Sequence, residues 1–390
     1  MPKNIVICCD GTGNEIKTNL SNVLKLVRVA KDNDQQVVYY DPGIGTFGAG
    51  GNWSRFRHWL KKVFNLASGK GLDEDVIEAY SFLVERYEDG DQIYLFGFSR
   101  GAYTVRVLAG LIRAIGLIGP NQKNLIAYGL KAHKSVDEAS KDQSPGEKFA
   151  GLNAFQKIAR GRYIPIKFVG VWDTVSSVIV RRPDLIRPVS MIKLPYTATN
   201  SSVEVFRHAL AIDERRRMFQ ANHWTPGQEF KTNPFALDGK PQDFKQVWFA
   251  GAHSDVGGGF PEVESGLSKF PLAWMIREAQ EHGLLVHTQS FNRLALGTGD
   301  DEYIAPDAGA QIHHSLTLGW WPVELLPKGT QRERPRKLLG LQMPMYFPLG
   351  EPRAIEDGAL IHASVEERMA LVSEYKPKNL PENYTVVDDS

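Results

Sequence analysis

A mostly parallel α/β sheet with flanking helices and an irregular C-terminal cap is the architecture this sequence predicts, and two observations carry that expectation. Short apolar runs recur at Asn4 to Cys9, Gln36 to Tyr40, Gln92 to Phe98, Pro165 to Trp172 and Lys245 to Ala250, and each closes on a polar or glycine-rich turn. Between and around them lie stretches with apolar residues at three and four spacing, at Ser21 to Lys31, Asp73 to Tyr87, Gly101 to Ile118, Ser202 to Met218 and Phe270 to His282. Strands alternating with helices build right-handed βαβ units, which put functional residues in the loops at the carboxyl ends of the strands.

The first strand carries the two cysteines, Cys8 and Cys9, whose side chains point to opposite faces. They read as reduced core residues rather than a disulfide or a metal site. The strand ends in the turn Asp10-Gly11-Thr12-Gly13-Asn14. After the second strand, Gly43-Ile44-Gly45-Thr46-Phe47-Gly48 spells a dinucleotide fingerprint, but Ala49-Gly50-Gly51-Asn52 delays the helix whose amino terminus would meet pyrophosphate. No nicotinamide or flavin is expected. Trp53, Phe56, Leu60, Val63 and Ala67 then form one helical stripe beside Arg55, Arg57, Lys61 and Lys62. A core-facing amphipathic helix is one use of this pattern; a lid or a transient contact with a membrane surface is the other.

The third strand is the most informative. Its continuous run Ile93-Tyr94-Leu95-Phe96 suits a strand buried on both faces, and it leads into Gly97-Phe98-Ser99-Arg100-Gly101 and then an almost wholly apolar helix interrupted by Arg106 and Arg113. Strand, tight glycine-flanked turn and buried helix form the context of a nucleophile elbow, which leaves the serine hydroxyl exposed at the mouth of the sheet. Lys134 to Lys148 reads as a surface loop, residues from about 298 to 375 as a cap rich in proline, glycine and tryptophan, and 376–390 as a frayed tail. The whole of 1–390 reads as a single domain. The basic runs Arg215 to Arg217 and Arg332 to Lys337 read as solvated or ion-paired surface, and Trp320 and Trp321 as packing residues or the wall of an acyl pocket.

With 46 basic and 45 acidic side chains in 390 residues the net charge is +1, so no global field favours nucleic acid. No secretory signal and no transmembrane segment is legible; cytoplasmic synthesis is expected, with delivery by a machine that needs no signal peptide compatible with it.

A serine nucleophile needs a base and a carboxylate to orient it. Two further strand ends supply them: Val171-Trp172-Asp173-Thr174-Val175 and Gly251-Ala252-His253-Ser254-Asp255-Val256-Gly257. Asp173 also suits a turn cap, and His253 a satisfied semi-buried histidine. Asp255, two residues along, competes as the orienter but shares the histidine's face without reaching back to its ring. The order serine, acid, histidine is that of the α/β-hydrolase fold. The oxyanion donors expected are the backbone N–H of Arg100 and one from Gly11 or Thr12. Asp10 is an accessory carboxylate that orients side chains, tunes a pKa or binds a cation. No metal or organic cofactor is required.

Several blocks together resemble a bacterial and fungal α/β-hydrolase family, long treated as a domain of unknown function, which includes type VI secretion phospholipase effectors. They are Cys9-Asp10-Gly11-Thr12, Tyr40-Asp41-Pro42-Gly43-Ile44-Gly45-Thr46, Gly97-Phe98-Ser99-Arg100-Gly101-Ala102, Val171-Trp172-Asp173-Thr174, His208-Ala209-Leu210-Ala211-Ile212-Asp213-Glu214, Gly251-Ala252-His253-Ser254-Asp255-Val256-Gly257-Gly258 and Ile361-His362-Ala363-Ser364-Val365. The resemblance runs from Ile5 to about Leu380. It implies serine-dependent hydrolysis of carboxylic esters, with phospholipids the substrate class of the effector branch, and Ser99, Asp173 and His253 at the triad positions. His362 also lies in such a block and stands as the alternative base. The competing readings are a non-catalytic scaffold of the same fold and phosphoester chemistry at a cation held by Asp10 and Asp255.

Overall fold

The computed structural model describes residues 2–11, 19–43, 71–138, 144–175, 179–181, 189–191, 196–233, 236–299, 302–325, 328–329, 337–338, 341–342 and 345–388. Eight strands form one sheet: β1 (Asn4–Cys9), β2 (Gln36–Asp41), β3 (Gln92–Phe98), β4 (Ile166–Trp172), β5 (Val203–Ala211), β6 (Asp243–Phe249), β7 (Ala359–His362) and β8 (Tyr384–Val387), in the order β8-β7-β6-β5-β4-β3-β1-β2. Every neighbouring pair is parallel. The chain steps from β1 outward to β2 and then back to the other side of β1 for β3. That reversal leaves a crevice between β1 and β3 at their carboxyl ends, the place where open parallel sheets accept ligands.

Alternation along β1 shows why both faces are covered. Ile5, Ile7 and Cys9 join one apolar cluster with Val76, Tyr80 and Leu83 of α2 (Leu72–Arg86) and Val105, Leu108 and Ile112 of α3 (Arg100–Ile115). Val6 and Cys8 join the opposite cluster with Val23 and Leu26 of α1 (Asn22–Val29), Leu272, Trp274 and Ile276 of α7 (Gly266–Glu281) and Phe291 of α8 (Thr288–Leu296). Both cysteines are free thiols buried on opposite faces, as their adjacency predicts. Helices α4 (Ile126–Glu138) and α5 (Ala150–Ala159) extend the first layer, and α6 (His253–Gly257) and α9 (Ala363–Leu371) follow strands β6 and β7.

Three expectations are corrected. The span Ser202 to Met218, read as a helix, holds β5. Val203, Phe206 and Leu210 fall at helical spacing, yet nearly every residue of β5 is buried, so a strand covered on both faces has no polar alternation to reveal it. The expected loop Lys134 to Lys148 begins inside α4, and Pro145–Lys148 is a helical turn. The expected cap and tail contribute β7, α9 and β8, because β6 leaves an edge that β7 pairs and β8 then covers. The glycine-rich segment 44–52, the stripe Trp53 to Ala67 and Arg332 lie outside the described residues. Among the described residues no helix is long and apolar enough to cross a membrane.

Candidate active site

Ser99 sits on a strained turn between β3 and α3, with φ 57° and ψ −116°. Its neighbours make that turn affordable only as glycine. A Cβ on Gly97 would stand 2.5 Å from the Gly101 carbonyl oxygen, and one on Gly101 would stand 2.1 Å from that of Cys9. Register aligns the three strand ends: Gly97 pairs with both Cys9 and Val171, and the Ser99 N–H continues the ladder to the Trp172 carbonyl at 3.0 Å. Ser99 is half-buried, so its hydroxyl meets the crevice.

His253 opens α6, immediately after the turn that follows β6. Its Nε2 lies 2.7 Å from the Ser99 Oγ and its Nδ1 lies 2.5 Å from Asp173 Oδ2. A carboxylate can only accept, so Nδ1 carries the proton and Nε2 is left to accept from the serine hydroxyl. The ring is wedged between Phe98, at 4.7 Å between centroids, and Phe219, edge-on at 4.8 Å. Gly257 permits this wedge, because a Cβ there would fall 1.9 Å from the Phe98 ring. Burial pushes the imidazole below its usual pKa, against the pull of Asp173 in the other direction.

Asp173 follows β4 with φ 40° and is wholly buried. Its Oδ1 accepts the Ala211 N–H at 3.1 Å. Arg353 donates to both oxygens, Nη1 to Oδ1 at 2.5 Å and Nη2 to Oδ2 at 3.0 Å. Burial alone would raise this carboxyl's pKa; the guanidinium of Arg353 and the bond from His253 outweigh it and hold the carboxyl well below the usual carboxylate range.

On the other side of β3, the loop after β1 touches the elbow: a Cβ on Gly11 would lie 3.3 Å from that of Ser99. The Gly11 N–H, however, donates to Asp10 Oδ1 at 2.7 Å, so the donor expected to face the crevice is engaged by its neighbour's carboxylate. Thr12 lies outside the described residues. The Arg100 amide is at the first position of α3, among those an α-helix cannot satisfy internally. Its side chain is buried towards Asp75, 3.9 Å away, which leaves the main chain as its contribution to the crevice.

The remaining accessory candidates separate. Asp10 Oδ2 accepts from the hydroxyls of Ser21 and, at 3.0 Å, Tyr40. Asp255 accepts the Ala252 N–H and bonds His313 at 2.6 Å, so it is not the group on His253, and these partners differ from those described for Asp10. The alternative base His362 caps α9 through Ser364 and stacks on Phe249, one strand beyond β6; the imidazole on Ser99 is that of His253. Two neighbours of these side chains, Glu214 and Arg353, were not legible as such. Glu214, deeply buried, accepts the His253 N–H at 3.3 Å and pairs with Arg216, whose guanidinium lies 3.5 Å above the Phe219 ring. Trp320 meets Phe219 edge-on at 5.5 Å. Arg353 stands in a proline- and glycine-rich stretch with no periodicity, so nothing local points to its partner.

A family model described as "T6SS, Phospholipase effector Tle1-like, catalytic domain" matches residues 3–278. An uncharacterized protein of Saccharomyces cerevisiae is 33% identical over 232 residues, 57% of this chain and 33% of the relative. Two solved structures are similar at 19% identity. One, an uncharacterized protein from Pseudomonas aeruginosa, aligns over 73% of this chain and 46% of its own with a TM-score of 0.38. The other, the Tle1 effector bound to the VgrG spike from the Type 6 secretion system, aligns over 68% and 52% with a TM-score of 0.31. The chain spans about a third of the length of the curated relative and about half of each of those structures.

Proposed function

The chain belongs to the family of Tle1-like type VI secretion phospholipase effector catalytic domains, and from that membership we propose that it is a serine hydrolase cleaving carboxylic esters of lipids, phospholipids among them. The observation that carries this reading is the unbroken hydrogen-bonded series Ser99, His253, Asp173 at the crevice between β1 and β3. Ser99 Oγ attacks the acyl carbon while its proton passes to His253 Nε2. Asp173 holds the imidazole by Nδ1 and stabilises the imidazolium. The Arg100 N–H donates to the oxyanion, and with the Gly11 N–H engaged by Asp10, Thr12 is the remaining candidate in that loop for a second donor. His253 then returns the proton to the leaving alcohol, and water repeats the cycle on the acyl-enzyme to release the acid. Phe219 and Trp320 offer apolar contact to an acyl chain beside His253. Residues 1–390 are proposed to act as a single unit, a reading supported by the strands β7 and β8 that complete the sheet.

The test is labelling with a fluorophosphonate probe alongside hydrolysis of short- and long-chain esters and of phospholipid vesicles. Labelling of Ser99, with turnover abolished in Ser99→Ala, is expected. Protein that hydrolyses esters while Ser99 stays unlabelled sinks the mechanism, and the absence of any turnover favours a binding scaffold.

A further inference from the structure

We infer that Arg353 is a positioning residue of the catalytic centre: its guanidinium clamps both oxygens of Asp173, fixing the carboxylate that orients His253 and offsetting its charge. The inference rests on the triad reading above. All five donors of this side chain are used. Besides the two bonds to Asp173, Nη1 reaches the Ala211 carbonyl at 3.1 Å and Nε and Nη2 both reach the Phe219 carbonyl, Nε at 3.1 Å. The residue is 3% exposed, and its own carbonyl accepts from Asn379 at 3.1 Å, which also reaches Ile212. One planar fork therefore ties the end of β4 to the end of β5 and to the Phe219 turn that packs on the imidazole. A forked, fully saturated pair of this kind fixes geometry as well as charge.

The consequence for acid–base chemistry follows from position. A triad carboxylate normally draws the imidazole towards its protonated form; a cation on the far side of that carboxylate weakens the draw. Among the described residues the other charged groups near His253 are Glu214, on its N–H, and Arg216, paired with Glu214. Asp255, on the same short helix, is paired with His313. Arg353 acts through Asp173 on the ring nitrogen, whereas Glu214 meets the backbone. Arg353 also lies beyond residues 3–278, so the centre draws a group from outside the matched segment.

The experiment compares Arg353→Gln and Arg353→Lys in the full chain, reading the pH profile of kcat/KM and, separately, the His253 titration by NMR of histidine-labelled protein. Arg353→Gln removes the charge, so the His253 titration and the acidic limb of the profile should both move up by about half a pH unit or more, in the direction expected when a nearby cation is lost. Arg353→Lys keeps the charge and loses the fork. Its acidic limb should stay in place while kcat falls several-fold with KM little changed. A His253 titration unmoved in a folded Arg353→Gln, or moved as far in Arg353→Lys, overturns the inference. If Arg353→Gln does not fold, Arg353→Lys decides alone: a stationary titration with lower kcat supports the clamp, and an unaltered kcat refutes it. Because the titration is read without turnover, a shifted His253 in a protein that hydrolyses no ester retains the clamp and removes the esterase reading instead.

Discussion

Ser99 lies between two buried aspartates, Asp173 after β4 and Asp10 after β1, and the two are satisfied in opposite ways. Asp173 takes a cationic fork, an imidazole and an amide. The partners described for Asp10 are neutral: two hydroxyls and the Gly11 amide. Charge-assisted bonds roughly double the strength of neutral ones and keep a buried carboxylate ionised. In the proposed mechanism the first carboxylate manages a proton on its neighbour, whereas the described bonds of the second run to the loop after β1 and to the Ser21 and Tyr40 hydroxyls.

The sharpest way to break this contrast is Asp173→Asn. It should lower kcat about 10⁴-fold, as expected when a triad imidazole loses the carboxylate that sets its tautomer. It should also cost about 3–5 kcal/mol of stability, because Arg353 is left buried without its anion; denaturant titration and steady-state kinetics measure the two. Adding Arg353→Met to that variant should return much of the stability and none of the activity, and a double-mutant cycle with no coupling would mean the clamp is not an interacting pair. Asp10→Asn orphans no described cation. Its stability loss should stay near 1–3 kcal/mol, the cost of disturbing buried neutral bonds, and the acidic limb of kcat/KM should not move. In the wild type that limb should lie below the ordinary histidine value of about 6.5, since burial lowers the His253 pKa and activity falls as pH drops through it. Smallest of all, Tyr40→Phe removes one hydroxyl from Asp10 and should cost about 1 kcal/mol, read from the same denaturation curves.

The same contrast marks where sequence ceases to inform. The elbow was legible because a tight turn of this kind requires small flanking residues, Gly97 being forced by the Gly101 carbonyl four residues on and Gly101 by Cys9 on the neighbouring strand, and the strand ends bearing Asp173 and His253 because a continuous apolar run announces a doubly covered strand. β5 was not, since its apolar spacing imitates a helix and its Arg207 and His208 are buried polar residues that a sequence places on a solvent face. Arg207 is satisfied there by Asp243 and Glu278, partners 36 and 71 residues away. Arg353 is the extreme case: its partner is 180 residues distant and the fork exists only once the sheet has closed. Gly11, read from the sequence as one of two candidate oxyanion donors, lies beside Ser99, but its amide is engaged by the Asp10 carboxylate, a contact no pattern encodes.

The paired thiols of β1 have a practical corollary. Cys8 and Cys9 are sealed under opposite layers of helices, and burial pushes both well above the ordinary thiol pKa, so the reactive thiolate is scarce and out of reach of bulky reagents. A cysteine introduced at a solvent-facing position such as Leu237, 96% exposed, would then take a dye or spin label alone. Distances from such a probe can be followed during substrate encounter on an otherwise native background.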